Sequence, residues 1–243
     1  MNKIILKNQE YEFEIIRSSR KTIGIIVNVD QELIVRSPKK TSIREIKYLL
    51  IKKEAWILKK LAKMSEIKAP PKEKDFVSDE IFLYLGREYR LKLASEADLN
   101  ELKVNLEQDS LTIYYPAKIE ENKHKRKTEV REQLIKWYRS QAKIKINELI
   151  NIYKKHLAVE PNKIVIKKQK KRWGSCSNKK NLNFNWKIIM APPAVIEYLV
   201  VHELVHLIHP NHAKVFWQTV AELIPNYEEQ KEWLRINGRR LII

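Results

Sequence analysis

The sequence predicts an α+β fold, with strands concentrated in the first half of the chain and helices in the second half. Short runs of β-branched and aromatic residues, separated by turn formers, fill the region before Pro116. Apolar residues recur at helical spacing from Val130 onwards, and prolines punctuate the later helical stretches. A chain of 243 residues, 44% of them hydrophobic, can bury one large core or two smaller ones.

The N-terminal elements follow from residue pattern and capping. TIGIIVNVD and ELIVRSP indicate two strands joined around Asp30, so we predict a hairpin. Ser42 and Glu45 have the spacing of a capping box, and apolar residues continue at helical intervals to about Met64. We expect this single helix to cover the hairpin.

A second group of strands follows the proline-containing connector SEIKAPPKEKD. FLYLG and YRLKL flank Gly86, and LTIYYP ends at Pro116, which predicts antiparallel strands. The charged stretch ENKHKRKTEV resembles a solvated linker. We therefore predict a β-rich region over residues 1–125 and a second domain over residues 126–243.

The second domain is predicted to combine several helices with two strands. A long amphipathic helix reaches about His156, and IVIKKQKKRWGSCS and NLNFNW indicate two strands joined by a polar turn. Pro192 and Pro193 mark the start of an apolar helix. AKVFWQTVAELI and EEQKEWLRI predict two more helices, divided by Pro225.

Composition restricts the class of protein. Cys176 is the only cysteine, so it cannot form an internal disulfide, and the first twenty residues carry charges where a signal peptide needs an apolar core. Apolar stretches fall short of the roughly 18 residues that cross a bilayer. We expect a cytoplasmic protein with no membrane association.

The net charge of +18 is concentrated in one quarter of the chain. Residues 121–180 contain 19 Lys or Arg and 5 Asp or Glu, an excess of 14 positive charges. Such a segment is able to bind the phosphate groups of a nucleic acid, which is one of two interpretations of the charge. A solvated basic face accounts for the same charge and needs no partner.

The stretch VVHELVHLIHPNH contains the candidate metal-binding and catalytic residues. It contains His202, Glu203 and His206 in the HExxH arrangement on an apolar helix. Residues four apart share one helix face, about 5–6 Å between their Cβ atoms, so both imidazoles can meet one zinc ion. Glu203 lies off that line and would act as general base on a metal-activated water, which predicts hydrolysis of peptide bonds.

A catalytic zinc ion needs a third protein ligand. His212 is the preferred candidate, because Pro210 ends the helix and the following turn can bring His212 back towards the first two ligands. His209, three residues after His206, and Glu222, one helix further on, are the rivals.

Arg172 and Trp173 occupy a predicted strand just before Gly174. Such a strand beside a cleft can bind an extended peptide by backbone pairing, and Arg172 can stabilise a tetrahedral oxyanion. In the alternative interpretation, Trp173 belongs to the core and Arg172 to the surface or to an ion pair.

Four segments in order, RWGSCS, NLNFNW, YLVVHELVHL and PNHAKVFW, resemble the YgjP-like, SprT-related zinc metallopeptidases. The resemblance is strong over residues 160–236 and weaker over the first half. It implies a zincin-like domain, in which a short sheet packs on the active helix. It also implies His202, His206 and His212 as zinc ligands and Glu203 as the catalytic residue.

Two hypotheses follow for the function. The first is a cytoplasmic zinc metallopeptidase that acts on peptides or proteins. The second is a basic protein associated with DNA, either SprT-like and acting on DNA-bound proteins or a non-catalytic nucleic-acid-binding module.

Overall fold

The computed structural model describes residues 2–119 and 122–243, and they form two compact units that divide between Ala69 and Pro70. Each unit has a hydrophobic core of its own and combines strands with helices, so the predicted α+β class is confirmed. Residues 120 and 121, next to and within the predicted linker, lie outside the described residues.

The first unit is a four-stranded sheet with two helices. Its elements are β1 (Asn2–Leu6), β2 (Gln9–Ser18), β3 (Gly24–Val27), β4 (Leu33–Pro38), α1 (Ile43–Lys52) and α2 (Glu54–Ser65). The strand order is β1-β2-β4-β3, and the predicted hairpin is the antiparallel pair of β3 and β4. The capping box of Ser42 and Glu45 is present. The predicted single helix is interrupted at Lys53, and both resulting helices bury apolar residues in the same core.

The second unit contains the remaining elements. The strands are β5 (Ile81–Tyr84), β6 (Arg87–Glu96), β7 (Lys103–Leu106), β8 (Ser110–Pro116), β9 (Lys163–Lys167), β10 (Gly174–Cys176) and β11 (Asn181–Asn185). The helices are α3 (Lys123–His156), α4 (Pro193–Val205), α5 (Lys214–Leu223) and α6 (Tyr227–Asn237). Strands β5 to β8 form one sheet in the order β5-β6-β8-β7, and the other sheet has the order β10-β11-β9. Strands β5 and β6 are antiparallel as predicted, whereas β6 and β8 are parallel, which corrects the prediction for LTIYYP.

The division differs from the boundary predicted near residue 125, because the β5–β8 sheet shares a core with α3. Tyr138 of α3 is fully buried in the same cluster as Leu91 of β6, and its hydroxyl donates to the Leu83 carbonyl at 2.8 Å. Helix α3 begins at Lys123, so most of the predicted linker is its first two turns. Lys and Arg favour helices, so their charge alone does not indicate a linker.

The segment predicted as a single strand before the polar turn forms two strands. Both strands pair with β11, β9 in the parallel direction and β10 in the antiparallel direction. Arg172 and Trp173 therefore lie in the connection between β9 and β10 and not within a strand, which corrects the prediction.

Helix α4 is apolar on almost all sides because neighbours surround it. It packs against α3, α5, α6 and β10, so a short sheet lies on the motif helix as expected. Within the described ranges, no helix combines the length and apolar character that crossing a membrane requires.

Candidate metal centre

Helix α4 presents its two motif histidines on one face. His206 follows His202 by four residues, and their ring centroids lie 4.9 Å apart. The helix ends at Val205 with His206 as its C-cap in helical conformation. Pro210 cannot continue the helix, so the chain turns soon after the second histidine.

This turn returns a third imidazole to the pair. His212 Nε2 lies 3.1 Å from His202 Nε2, and the His212 and His206 ring centroids are 4.7 Å apart. One nitrogen from each of the three rings lies within 4.8 Å of the others. Two nitrogens that share a tetrahedral metal at about 2.0–2.1 Å are themselves about 3.3 Å apart. The three imidazoles therefore fit one metal ion.

The two rival ligands do not join this group. Among the residues described, the group that could hold a metal comprises the three histidines and includes neither His209 nor Glu222. His209 Nε2 instead lies 3.3 Å from the Thr219 hydroxyl, and the His209 carbonyl lies 3.1 Å from His206 Nδ1. When Nδ1 of His206 donates to that carbonyl, its Nε2 keeps a free lone pair for a metal.

The first two imidazoles are held in the neutral form that binds metals. Burial, followed by smaller effects of His206, His212 and Lys231, lowers the pKa of His202 to about 3. Burial also lowers the pKa of His206, and the hydrogen bond to the His209 carbonyl opposes this shift. Nδ1 of His202 is buried and has no hydrogen-bond partner in the described part of the chain. Neutral imidazoles are the protonation state required for metal binding.

Aromatic residues of α5 and α6 hold the exposed third histidine. The rings of Trp217 and His212 are stacked, with centroids 5.4 Å apart and planes inclined by 21°. Trp217 also stacks on Tyr227 at 5.2 Å, and Lys231 Nζ lies 3.8 Å from the Trp217 ring centroid. These contacts limit the orientations that His212 can adopt.

Glu203 is a buried carboxyl group without a hydrogen-bond partner for one of its oxygens. Its residue is 4% exposed, and no described residue bonds its Oε2. Burial raises the pKa of Glu203 to about 8, and the positive charge of Arg172 acts in the opposite direction. A buried carboxyl group is costly unless it is paired, so its presence beside three histidines indicates a functional site.

Gly174 of β10 provides the space that Glu203 occupies. A Cβ atom at this position would lie 2.4 Å from Glu203 Oε1 and 2.7 Å from its Cδ. A side chain at this position therefore requires Glu203 to move. Gly174 was not among the residues predicted to be functional, although a glycine at the start of the strand was the available signal.

A cleft of about 630 Å³ opens over these groups. Besides the three histidines, Glu203 and Gly174, its wall includes Arg172, Ser175, Cys176, Ser177, Asn178 and Lys180. Arg172 therefore lies in the wall of the cleft, and its role as a substrate-binding residue stays a prediction. Trp173 does not line it and instead lies against Gly238 in a neighbouring pocket. The four polar residues Ser175, Ser177, Asn178 and Lys180 were missed, because they lie in a three-residue strand and the turn after it, which are too short for a periodic pattern.

Strand β10 forms a free edge of its sheet beside the cleft. The Asn185 N–H donates to the Trp173 carbonyl at 2.7 Å, which fixes the alternation of hydrogen bonds along the antiparallel pair. The backbone N–H and C=O groups of Gly174 and Cys176 consequently point away from β11. These groups can bind an extended chain.

Comparisons with known proteins identify a family of metallopeptidases for this chain. A family model described as YgjP-like, metallopeptidase domain, matches residues 21–237. Among solved structures, the crystal structure of the metallopeptidase zymogen of Pyrococcus abyssi abylysin is similar, with 18% sequence identity and a TM-score of 0.36. That similarity covers 40% of this chain and 99% of the other. No curated protein matches the sequence.

Proposed function

Because the chain belongs to the YgjP-like metallopeptidase family, we propose that it is a zinc-dependent peptidase with Glu203 as general base. His202, His206 and His212 are the proposed metal ligands. The observation that carries the proposal is the convergence of three imidazole nitrogens beside a buried carboxyl group in an open cleft. Three protein ligands leave one position of a tetrahedral site open, as catalytic zinc sites require.

The metal ion and Glu203 would have different roles in hydrolysis. When bound, zinc would supply Lewis acidity, polarising the scissile carbonyl and lowering the pKa of water to about 7. The Glu203 carboxylate would accept a proton from the attacking water and deliver it to the nitrogen of the leaving amine. Burial raises the pKa of Glu203, and the positive charge of a bound metal ion would lower that pKa again, which would favour the carboxylate that accepts the proton.

The substrate is proposed to lie along β10 as an added strand. The outward N–H and C=O groups of Gly174 and Cys176 would bond its main chain. Arg172, which lines the same cleft, would bind the carbonyl oxygen as negative charge develops on it. Trp173 would act indirectly, because its carbonyl ties the start of β10 to Asn185.

Replacement of Glu203 tests this mechanism. Glu203→Gln keeps the size of the side chain and removes its basicity, so hydrolysis of unfolded protein or of a peptide mixture should fall by about 10²-fold or more while zinc stays bound. The matched control is Glu222→Gln on α5, an exposed residue outside the histidine group, which should keep full activity and zinc content. Full turnover in Glu203→Gln would contradict the proposed base.

Association with nucleic acid and a cytoplasmic location remain separate proposals. The basic segment is distributed over α3, β9 and the following connection. Several of its cations form ion pairs, among them Lys127 with Asp75 and Lys154 with Glu160. These ion pairs reduce the positive charge that the segment can offer to a phosphate backbone.

A further inference from the structure

A second cavity, of about 520 Å³, adjoins the cleft, and Arg172 lies in both walls. Its cationic side chains include Lys170, Lys171, Arg172, Lys187 and Lys231, and Arg239, which makes an interaction of its own, also lies in the wall. Arg235 also lines the cavity and forms an ion pair with Glu232. None of the described residues in the wall is Asp or Glu. We name this cavity the basic pocket.

The positive charge of the basic pocket is not balanced by its own wall. Lys187 is half-buried, and its pKa is lowered by burial and then by repulsion from Lys168 and Arg131. The side-chain Nε2 of Gln169, another wall residue, has no acceptor among the described residues. The wall is therefore rich in donors and poor in acceptors, which favours an anionic ligand.

Apolar side chains form the rest of the wall, and they indicate which class of anionic ligand the pocket favours. Trp173, Leu234 and Ile242 contribute apolar surface. The Trp173 ring is half-buried and lies against Gly238, where an added Cβ would be 3.2 Å from two of its atoms, and it is the only aromatic ring apart from Tyr198 among the described residues of the wall, so the wall lacks the series of rings on which successive nucleic-acid bases stack. A mixture of cations and packed apolar groups suits a peptide that carries both acidic and apolar side chains.

The position of the basic pocket connects it to the proposed peptide path. Trp173 directly precedes β10, and Arg172 joins the pocket to the cleft. A peptide that extends along the free edge of β10 past Gly174 would reach the pocket with its next residues. We propose that the basic pocket is a specificity site for acidic side chains of the peptide substrate. This inference rests on the proposed peptidase function.

Binding can be measured separately from cleavage. The probe is a fluorescent peptide of about twelve residues that alternates Glu with Leu, and its counterpart has Gln in place of every Glu. Each peptide is titrated with the zinc-loaded Glu203→Gln protein, and its Kd is measured by fluorescence anisotropy. Exposed Lys170 and Lys171 are reversed together to Glu, and the matched control reverses Lys143 and Lys155, two exposed residues of α3 outside the pocket.

The acidic peptide should bind about tenfold more tightly than the neutral one. Charge reversal of Lys170 and Lys171 should raise the Kd of the acidic peptide about tenfold. The α3 reversal should change affinity by less than about twofold. Equal affinity for the two peptides overturns the proposal, and so does an equal loss in both reversals. A single-stranded oligonucleotide of matched charge that binds more tightly than the acidic peptide, and loses that affinity in the pocket reversal, also overturns it.

Cleavage by the unaltered protein separates this inference from the proposed function. If the acidic peptide binds as expected but neither peptide is cleaved, the proposed peptidase function fails and the acidic-peptide site stands. If both peptides are cleaved with equal kcat/KM and bind equally, the peptidase function stands and the specificity site fails.

Discussion

Substitution of Gly174 by Ala should impair catalysis by displacing Glu203. The added Cβ would lie 2.4 Å from Glu203 Oε1, whereas ordinary contacts begin at 3.4 Å, so the carboxylate must move by about 1 Å. A misplacement of that size costs about 10²-fold in rate, or about 2.7 kcal/mol of transition-state stabilisation. Overpacking adds a loss of about 1–3 kcal/mol in the free energy of unfolding.

The assay compares kcat/KM for a cleavable peptide in the Gly174→Ala and unaltered proteins, with zinc content and thermal unfolding measured on the same samples. Gly24→Ala is the matched control. Its added Cβ approaches the flexible end of the Arg20 side chain, which can move aside, so activity should not change. In a Glu203→Gln background, Gly174→Ala should have little further effect, because both changes act on one group. Unaltered kcat/KM, or a full additional loss in that background, would refute the reasoning.

Two further predictions concern the metal centre. Trp217→Ala should weaken zinc affinity by about 10–100-fold, because Trp217 stacks on His212, and Trp217→Phe should recover part of the loss. Competition with a chromogenic chelator measures this, and equal affinity in all three proteins would exclude a positioning role. Zinc at about 100 times its Kd should raise the free energy of unfolding by about 2.7 kcal/mol, because metal binds the folded state. Denaturant titration with and without zinc checks the shift, and identical curves would contradict it.

The local elements of the site were predictable because their signals lie close together in sequence. Pro193 begins α4, the apolar residues that follow explain its burial, and a four-residue spacing aligns His202 with His206. Pro210 explains why the chain turns, and His212 was preferred as the third ligand on that argument alone.

The contacts between distant segments were not predictable in the same way. Gly174 matters because Glu203, on another element, occupies the adjacent space, and no periodic pattern reports such a contact. The start of α3 at Lys123 was missed because a run of charged residues is typical of a linker. The same residues form the first turns of a helix whose later turns bury apolar residues. The β5–β8 sheet shares the core around Tyr138 with α3. The two units therefore divide between Ala69 and Pro70.

The metal site of His202, His206 and His212 can be tested by zinc stoichiometry, measured by atomic spectroscopy on protein purified gently in zinc-containing buffer. The unaltered protein and His209→Ala should each bind one zinc ion, since His209 Nε2 lies beside Thr219 and outside the histidine group. His212→Ala should lose most of its zinc after dialysis, because one of three ligands is missing. A metal-free unaltered protein, or a His212→Ala protein that retains zinc equally well, would contradict the assignment of the three histidines.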